Sequence, residues 1–416
     1  NCKKNTLSKI VKLGSQPLSG VFLKKKHNNL KKYTLDLYEC NFCKLVQMKK
    51  SVNTEDMFGD TYEYKTSLSK LMIDHIFEKV KYISKKKILR KNSKILDIGC
   101  NDGTFLNFFS KKKYDLFGAD PSAKKFKYNY NKKIKILDDF FTKEKLNNQF
   151  GTLNFDLITS FAMFYDVNEP NKFCKDIYDL LSKNGIWILE ISYLPLMLKN
   201  LTYDQICHEH VAYYSLSTFK KIAEKNGLKI IDYTLNEING GSIEIICSKK
   251  TSKYKIKKGR INKVLNDEKR INKNSFNNFN RRIAEVKYLL QSFLNLKSKK
   301  TVIGYGASTK GNIVLNHCEV KKKQISEVCD GSYRKLSRYT PGSNLKIISK
   351  ESMRIKNPDY LLVLIWSFRK EVISQEIKYL KKGGKLIFLL PRFHIVNIDN
   401  YKEYLNSDFS HLSFKY

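Results

Sequence analysis

Through the middle of the chain, short apolar runs alternate with longer stretches in which apolar residues return every three or four positions. Lys94-Ile95-Leu96-Asp97-Ile98 is one such run, closed by Gly99-Cys100-Asn101-Asp102-Gly103 and followed by Thr104-Phe105-Leu106. This order predicts a buried strand, a tight turn and a first helix, the opening of a βαβ unit. Further runs predict strands at Leu116 to Ala119, Leu157 to Ser160 and Gly185 to Ser192, with helical patterns between them, as in a doubly wound sheet. Residues 251–300 turn to Lys, Asn and Arg, with Phe276, Phe279, Ile283, Val286, Leu290 and Phe293 at helical spacing, which predicts a helical linker with one buried stripe. A second strand, glycine turn and helix opens at Thr301-Val302-Ile303-Gly304-Tyr305-Gly306-Ala307-Ser308-Thr309-Lys310, with later strands at Tyr360 to Trp366 and Lys385 to Leu390. The expected class is α/β, with segments 1–60, 61–250, 251–300 and 301–416.

The two glycine turns differ chemically. The first lacks the G-x-G-x-x-G spacing that cradles a pyrophosphate, and it carries Asp97, which would repel one. Roughly twenty residues later Asp120 ends the next strand, placed to accept hydrogen bonds from ribose hydroxyls. Two acids at a nucleoside site suit a cationic ligand without phosphate, and S-adenosylmethionine is such a ligand. The stretch resembles the first motif and the ribose acid of class I methyltransferases. Asp97, Gly99, Cys100, Asn101, Gly103 and Asp120 are its expected cofactor residues, with Asp139 and Phe140 placed to meet the adenine. The second turn has no acid; its glycines, the hydroxyls of Ser308 and Thr309, and Lys310 suit phosphate.

The formal charge of +38, from 78 basic and 40 acidic residues, invites a nucleic-acid reading. The lysines are spread along the whole chain, and no RNA-recognition, KH or zinc-finger module accompanies them, so no specific nucleic-acid partner is expected. A basic protein still favours an anionic substrate. No apolar window approaches the roughly 18 residues of a membrane span and no signal peptide is evident, so no membrane partner is expected and a cytoplasmic location is. Nine scattered cysteines argue for reduced thiols. Cys40 and Cys43 form a C-x-x-C knuckle with Cys2 upstream, the makings of a zinc site whose fourth ligand is expected before Asn1; a chance pair among nine cysteines is the alternative.

The densest chemistry is Asp204-Gln205-Ile206-Cys207-His208-Glu209-His210, in a chain with seven histidines. It is not H-E-x-x-H, so zinc-protease geometry does not follow. A histidine titrating near working pH is the usual general base, and His208 or a tyrosine suits the stabilisation of an enolate oxygen. Taken together, Leu13-Gly14-Ser15-Gln16-Pro17-Leu18, Cys40-x-x-Cys43, Tyr62 and Tyr64, Asp97-Ile98-Gly99, Cys207-His208-Glu209-His210, Asn239-Gly240-Gly241-Ser242, Gly304-Tyr305-Gly306-Ala307 and Tyr339-Thr340-Pro341-Gly342 resemble the nucleotide-sugar C-methyltransferase family over nearly the whole chain.

The resemblance implies a class I S-adenosylmethionine methyltransferase core flanked by a small N-terminal zinc-binding domain and a C-terminal Rossmann-like domain that helps hold a nucleotide-sugar. It implies methylation of a ring carbon next to a ketone, with His210 as base, Glu209 as assisting acid, and Tyr62 or Tyr64 as an active-site tyrosine. Asn239, Gly304, Gly306 and Lys310 are expected at the substrate, and Cys207 stands where relatives carry a tyrosine near the sugar. A structural zinc on Cys2, Cys40 and Cys43 and a monomer or weak oligomer complete the expectation. The alternatives are methylation of a sugar oxygen or nitrogen and, from another class, an RNA-binding methyltransferase.

Overall fold

The computed structural model describes residues 2–4, 6–52, 57, 65–86, 88–109, 114–296, 300–410 and 412–413. Five short strands begin the chain: β1 (Leu7–Val11), β2 (Ser15–Pro17), β3 (Lys32–Thr34), β4 (Leu37–Cys40) and β5 (Val46–Met48). β4 pairs antiparallel with β1 and β5, and β2 with β3. So small a unit has little core of its own. Val11, Leu13, Leu35 and Leu37 join instead a core continuous with the C-terminal block.

A helix, Lys70–Lys85, capped by Ser69 Oγ on the Met72 N–H at 3.3 Å, leads into the central unit. Its strands are β6 (Lys94–Ile98), β7 (Asp115–Ala119), β8 (Ile134–Leu137), β9 (Phe155–Phe161), β10 (Leu181–Ser192), β11 (Ala212–Tyr213), β12 (Leu228–Asn236) and β13 (Ser242–Lys249). All four strands predicted here are found, β6 with the predicted bounds and the other three longer. Seven of the eight form one sheet in the order β8-β7-β6-β9-β10-β13-β12. β6 to β10 are parallel, whereas β13 runs against both β10 and β12. The chain leaves β8 at one edge and re-enters beside β6 as β9, so a crevice opens between the carboxyl ends of β6 and β9, where open α/β sheets bind ligands. β11 leaves this sheet and pairs antiparallel with β5.

The stretch expected as a linker contains helices Lys258–Glu268 and Lys273–Leu296. The predicted stripe is real: Phe276, Phe279, Ile283, Val286 and Leu290 are buried and Phe293 half-buried. It shares a core with the C-terminal strands, so the second helix packs as part of that block and is no free tether. Arg282, on the same buried face, donates to the Leu198 and Lys199 carbonyls at 3.0 and 3.3 Å, meeting the negative end of helix Leu194–Asn200.

The C-terminal unit has β14 (Val302–Tyr305), β15 (Glu327–Asp330), β16 (Lys346–Ser349), β17 (Tyr360–Val363), β18 (Lys385–Phe388) and β19 (His394–Val396) in the order β16-β15-β14-β17-β18-β19, parallel except for β19. This is the second Rossmann-like unit. Trp366, expected to end a strand, lies in the 3-10 turn Trp366–Phe368, where its indole N–H donates to Asp204 Oδ2 at 2.8 Å. Among the described residues no helix is long and apolar enough to cross a membrane.

Candidate active site

At the crevice, Asp97 Oδ1 accepts from Thr159 Oγ1 on β9 at 2.7 Å. Asp120, just past β7, accepts from the backbone N–H of Asn101 at 2.9 Å and of Ser122 at 2.7 Å. Gly99 turns the chain between them at φ +77°, with Met163 packed so closely that a Cβ would lie 2.9 Å from its Cγ. These groups wall a cavity of about 420 Å³. Of the expected cofactor residues, Asp97, Gly99, Cys100, Asn101, Asp120 and Phe140 line it.

Gly103 and Asp139 do not. Gly103 is covered by the ring of Tyr130, 2.6 Å from where a Cβ would sit. The Asp139 carboxylate is drawn to Lys145 Nζ at 2.6 Å, half exposed. The expected role of Asp139 at an adenine therefore has no support in its position.

Burial, with the nearby Asp120 adding to it against the Thr159 hydrogen bond, lifts the Asp97 carboxyl to about 7. Burial raises Asp120 as well. Two acids held close in an apolar cavity are relieved by a cation. Walls of Phe140 and Met163 around them suit the remainder of an adenosyl-sulfonium ligand, so the residues fit S-adenosylmethionine. Another acid at the cavity, Glu190, is legible in the sequence only as part of a strand end, because its partners are remote. Burial pushes it up, but Lys79 Nζ at 2.7 Å and His75 Nε2 at 2.9 Å hold it at about 2. Asn236 Nδ2 also donates to it at 2.7 Å.

The His-Glu-His segment does not line this cavity; it meets it through the 3-10 turn Phe164–Asp166. The Val211 N–H donates to the Tyr165 carbonyl at 2.9 Å, and the His210 ring lies 4.1 Å from the Tyr165 ring between centroids. His210 Nδ1 is buried and has no hydrogen-bond partner among the described residues. Burial and the Lys310 ammonium lower its pKa to about 3, below the near-working-pH value expected of a general base, so the imidazole is neutral and only weakly basic in the free protein. Asp166, which sequence reading missed, lies in the cavity wall.

Two expectations for this segment need correction. His208 packs edge-on against Tyr33 of the N-terminal unit, centroids 5.9 Å apart, and does not line the cavity, so its position lends no support to a role as enolate donor. Glu209, expected beside the base, lies instead against Gly20, whose added Cβ would come within 2.8 Å of Oε1 and 3.5 Å of Thr309 Oγ1. At position 20 a side chain would therefore press on the Glu209 carboxylate, and no special backbone angle is involved. Cys207 is buried two residues before Glu209. Tyr62 and Tyr64 lie outside the described residues.

The second glycine turn also departs from expectation. The Gly306 N–H donates to the Cys329 carbonyl at 2.8 Å, and Ile365 fills the space a Cβ would take, 2.6 Å away. At Gly304 the obstructing group is Val328. Ser308 Oγ caps the helix on the Gly311 N–H at 2.9 Å. The turn is thus closed by protein and offers no open phosphate cradle. Lys310 reaches the other way, donating to Asn239 Oδ1 at 3.0 Å, which places both expected substrate residues at the junction with Asp204, Cys207 and His210.

At the N-terminal end the three thiols of Cys2, Cys40 and Cys43 lie within 4.8 Å of one another, Cys2 and Cys40 at 3.5 Å. Burial would raise the Cys40 thiol, but backbone N–H groups of Cys43 and Phe42 and the Thr6 hydroxyl bring it down to about 6. Converging soft donors, one of them readily deprotonated, fit a tetrahedral zinc with these three as ligands.

Three family models match in succession: "Putative zinc binding domain" over residues 1–58, "Methyltransferase domain" over 69–233 and "C-methyltransferase C-terminal domain" over 237–391. The chain is 25% identical over 403 residues to the C-methyltransferase NovU of Streptomyces niveus, a match covering 94% of each. A tRNA U34 carboxymethyltransferase of Campylobacter jejuni subsp. doylei is 29% identical over 176 residues, 39% of this chain and 55% of that protein. A solved S-adenosylmethionine-dependent methyltransferase from Mesorhizobium loti covers 41% of this chain and 99% of its own, at 13% identity and TM-score 0.33.

The sheet order, the acids at its switch point and the matched central domain define a class I S-adenosylmethionine-dependent methyltransferase carrying an N-terminal zinc-binding domain. The chain belongs, over its length, to the C-methyltransferases built from these three domains in this order.

Proposed function

We propose that the protein methylates a carbon next to the ketone of a nucleotide-linked sugar, with His210 as the base. The observation that supports this reading is the contact of His210 with Tyr165, which holds a neutral imidazole with an unpartnered Nδ1 one residue along the chain from Asp166 of the cavity wall. Such chemistry must first create a carbon nucleophile, and the proton α to a ketone is the accessible one. When bound, S-adenosylmethionine supplies a methyl group on a positively charged sulfur. Asp120 accepts from the ribose, and Asp97 and Asp120 counter the ligand's positive charge. His210 removes the α proton, a step worth roughly 10²- to 10⁴-fold for a positioned base. The nucleotide lies toward Asn239 and Lys310, between the central and C-terminal units, consistent with the anionic preference of a basic chain.

The test is product analysis with a keto nucleotide-sugar and the cofactor. The expected product carries a new methyl on a ring carbon by NMR, and its α position exchanges with solvent deuterium. A methyl found on oxygen or nitrogen would overturn the proposal.

A further inference from the structure

Asp166 and Glu209 come from different loops, one after β9 and one in the His-Glu-His segment, and the Val211–Tyr165 backbone hydrogen bond ties those loops together one residue from Asp166 and two from Glu209. Asp166 Oδ1 and Glu209 Oε2 are both fully buried and both without a hydrogen-bond partner among the described residues. The groups that interact electrostatically with Asp166 are Glu209, Cys207, Tyr213 and Tyr214, none of them a cation, and Lys172, which lines the same cavity, is exposed to solvent. The buried ammonium of Lys310 acts on Asp204, Cys207 and His210 instead. Two buried carboxylates that repel each other and have no counter-charge cannot both ionise.

We propose that Asp166 and Glu209 share one proton, and that the acid so kept neutral, in the wall of the cofactor cavity at Asp166, donates a hydrogen bond to the ketone oxygen of the acceptor. The second half rests on the reading of the reaction given above; the first does not. As His210 takes the α proton, the C–H electron pair moves into the new C=C bond and charge gathers on the ketone oxygen. A buried neutral acid is a strong donor there, while the proton itself stays with the carboxyl pair. Burial and the neighbouring Glu209 both raise the Asp166 carboxyl, in keeping with a protonated acid. This assigns Glu209 to Asp166, and not to the adjacent imidazole.

Infrared spectra of the full-length protein with ¹³C-labelled aspartate decide the first half. At pH 7 the wild type should show an isotope-shifted carbonyl band of a protonated acid that is lost in Asp166→Asn. In Glu209→Gln the band should vanish at a lower pH than in the wild type. Only ionised aspartate in the wild type, or no shift in Glu209→Gln, would overturn the shared proton.

Methyl transfer to a keto nucleotide-sugar decides the second half. Asp166→Asn, which keeps a donor, should retain most of the activity, while Asp166→Ala should lose on the order of a hundredfold with cofactor affinity unchanged. Equal loss in both variants, or wild-type turnover in Asp166→Ala, would overturn the donor role. If the wild type itself methylates no carbon, the reading of the reaction falls, and the infrared band still decides the pair.

Discussion

The centroids of the Tyr165 and His210 rings are 4.1 Å apart, tilted by 50°, on two loops that belong to different parts of the central unit. Asp166, the residue after Tyr165, lines the cofactor cavity, so the contact holds the His-Glu-His segment one residue from its wall. His210→Ala is expected to lower turnover roughly a hundredfold or more while leaving cofactor affinity intact. Deuterium exchange at the substrate carbon in the presence of the demethylated cofactor isolates the proton-removal step. Exchange at the wild-type rate in His210→Ala would show that another group takes the proton.

Asp120 is held by two backbone N–H groups with its carboxylate at the cavity. Asp120→Ala should weaken S-adenosylmethionine binding at least about tenfold, or about 1.4 kcal/mol. Calorimetry checks this, and an unchanged affinity would remove Asp120 from the site.

Asp97 gives the binding its pH dependence. Its carboxyl titrates at about 7 in the free protein, so below that pH it is neutral and its attraction for a cationic ligand is lost. A bound cation favours the ionised form and lowers that value. Affinity should therefore fall as pH drops below 7, and binding near pH 6 should release up to about one proton. Calorimetry in buffers of different ionisation enthalpy measures the release. Asp97→Asn should abolish it.

Gly20→Ala separates rate from stability. The added methyl presses on the tip of Glu209, a flexible side chain that can yield, so stability should change by less than about 1 kcal/mol. The displaced carboxylate should nonetheless slow methyl transfer several-fold. Parallel thermal unfolding and turnover measurements test the split; a normal rate would show that Glu209's position is immaterial.

The zinc is expected to be structural, one per full-length chain. Cys43→Ala should lose it and lower stability by at least about 2 kcal/mol, read by elemental analysis and denaturant unfolding. Chelation that stops the chemistry and leaves folding untouched would contradict a structural role.

Much of this was legible from residues near one another in sequence. The β6 strand, its turn and Asp120 follow a local pattern of strand, glycine and acid, and β6 was placed to the residue. The stripe on helix Lys273–Leu296 was legible for the same reason, since helical spacing is local. What failed depends on distant partners. The second glycine turn looks open until β17's continuation brings Ile365 onto Gly306. Glu209 looks like a partner of His210 because it is adjacent, yet adjacent side chains diverge and Gly20 receives it. Asp166 had no motif to mark it; only the fold brings its loop to the His-Glu-His segment. Glu190 was visible as a strand end, but its ties to His75 and Lys79 required the helix Lys70–Lys85 to dock.

The antiparallel pairing of Ala212–Tyr213 with Val46–Gln47 has a consequence for how the chain can be divided. The zinc-bearing sheet takes its last strand from the polypeptide two residues beyond His210, and the Met48 N–H donates to the Val211 carbonyl at 3.0 Å. A separately expressed N-terminal fragment would have an unpaired edge, and an excised central domain would release the segment that carries His210. The two behave as one cooperative unfolding unit, so amide protons of residues 211–213 should exchange together with those of β5.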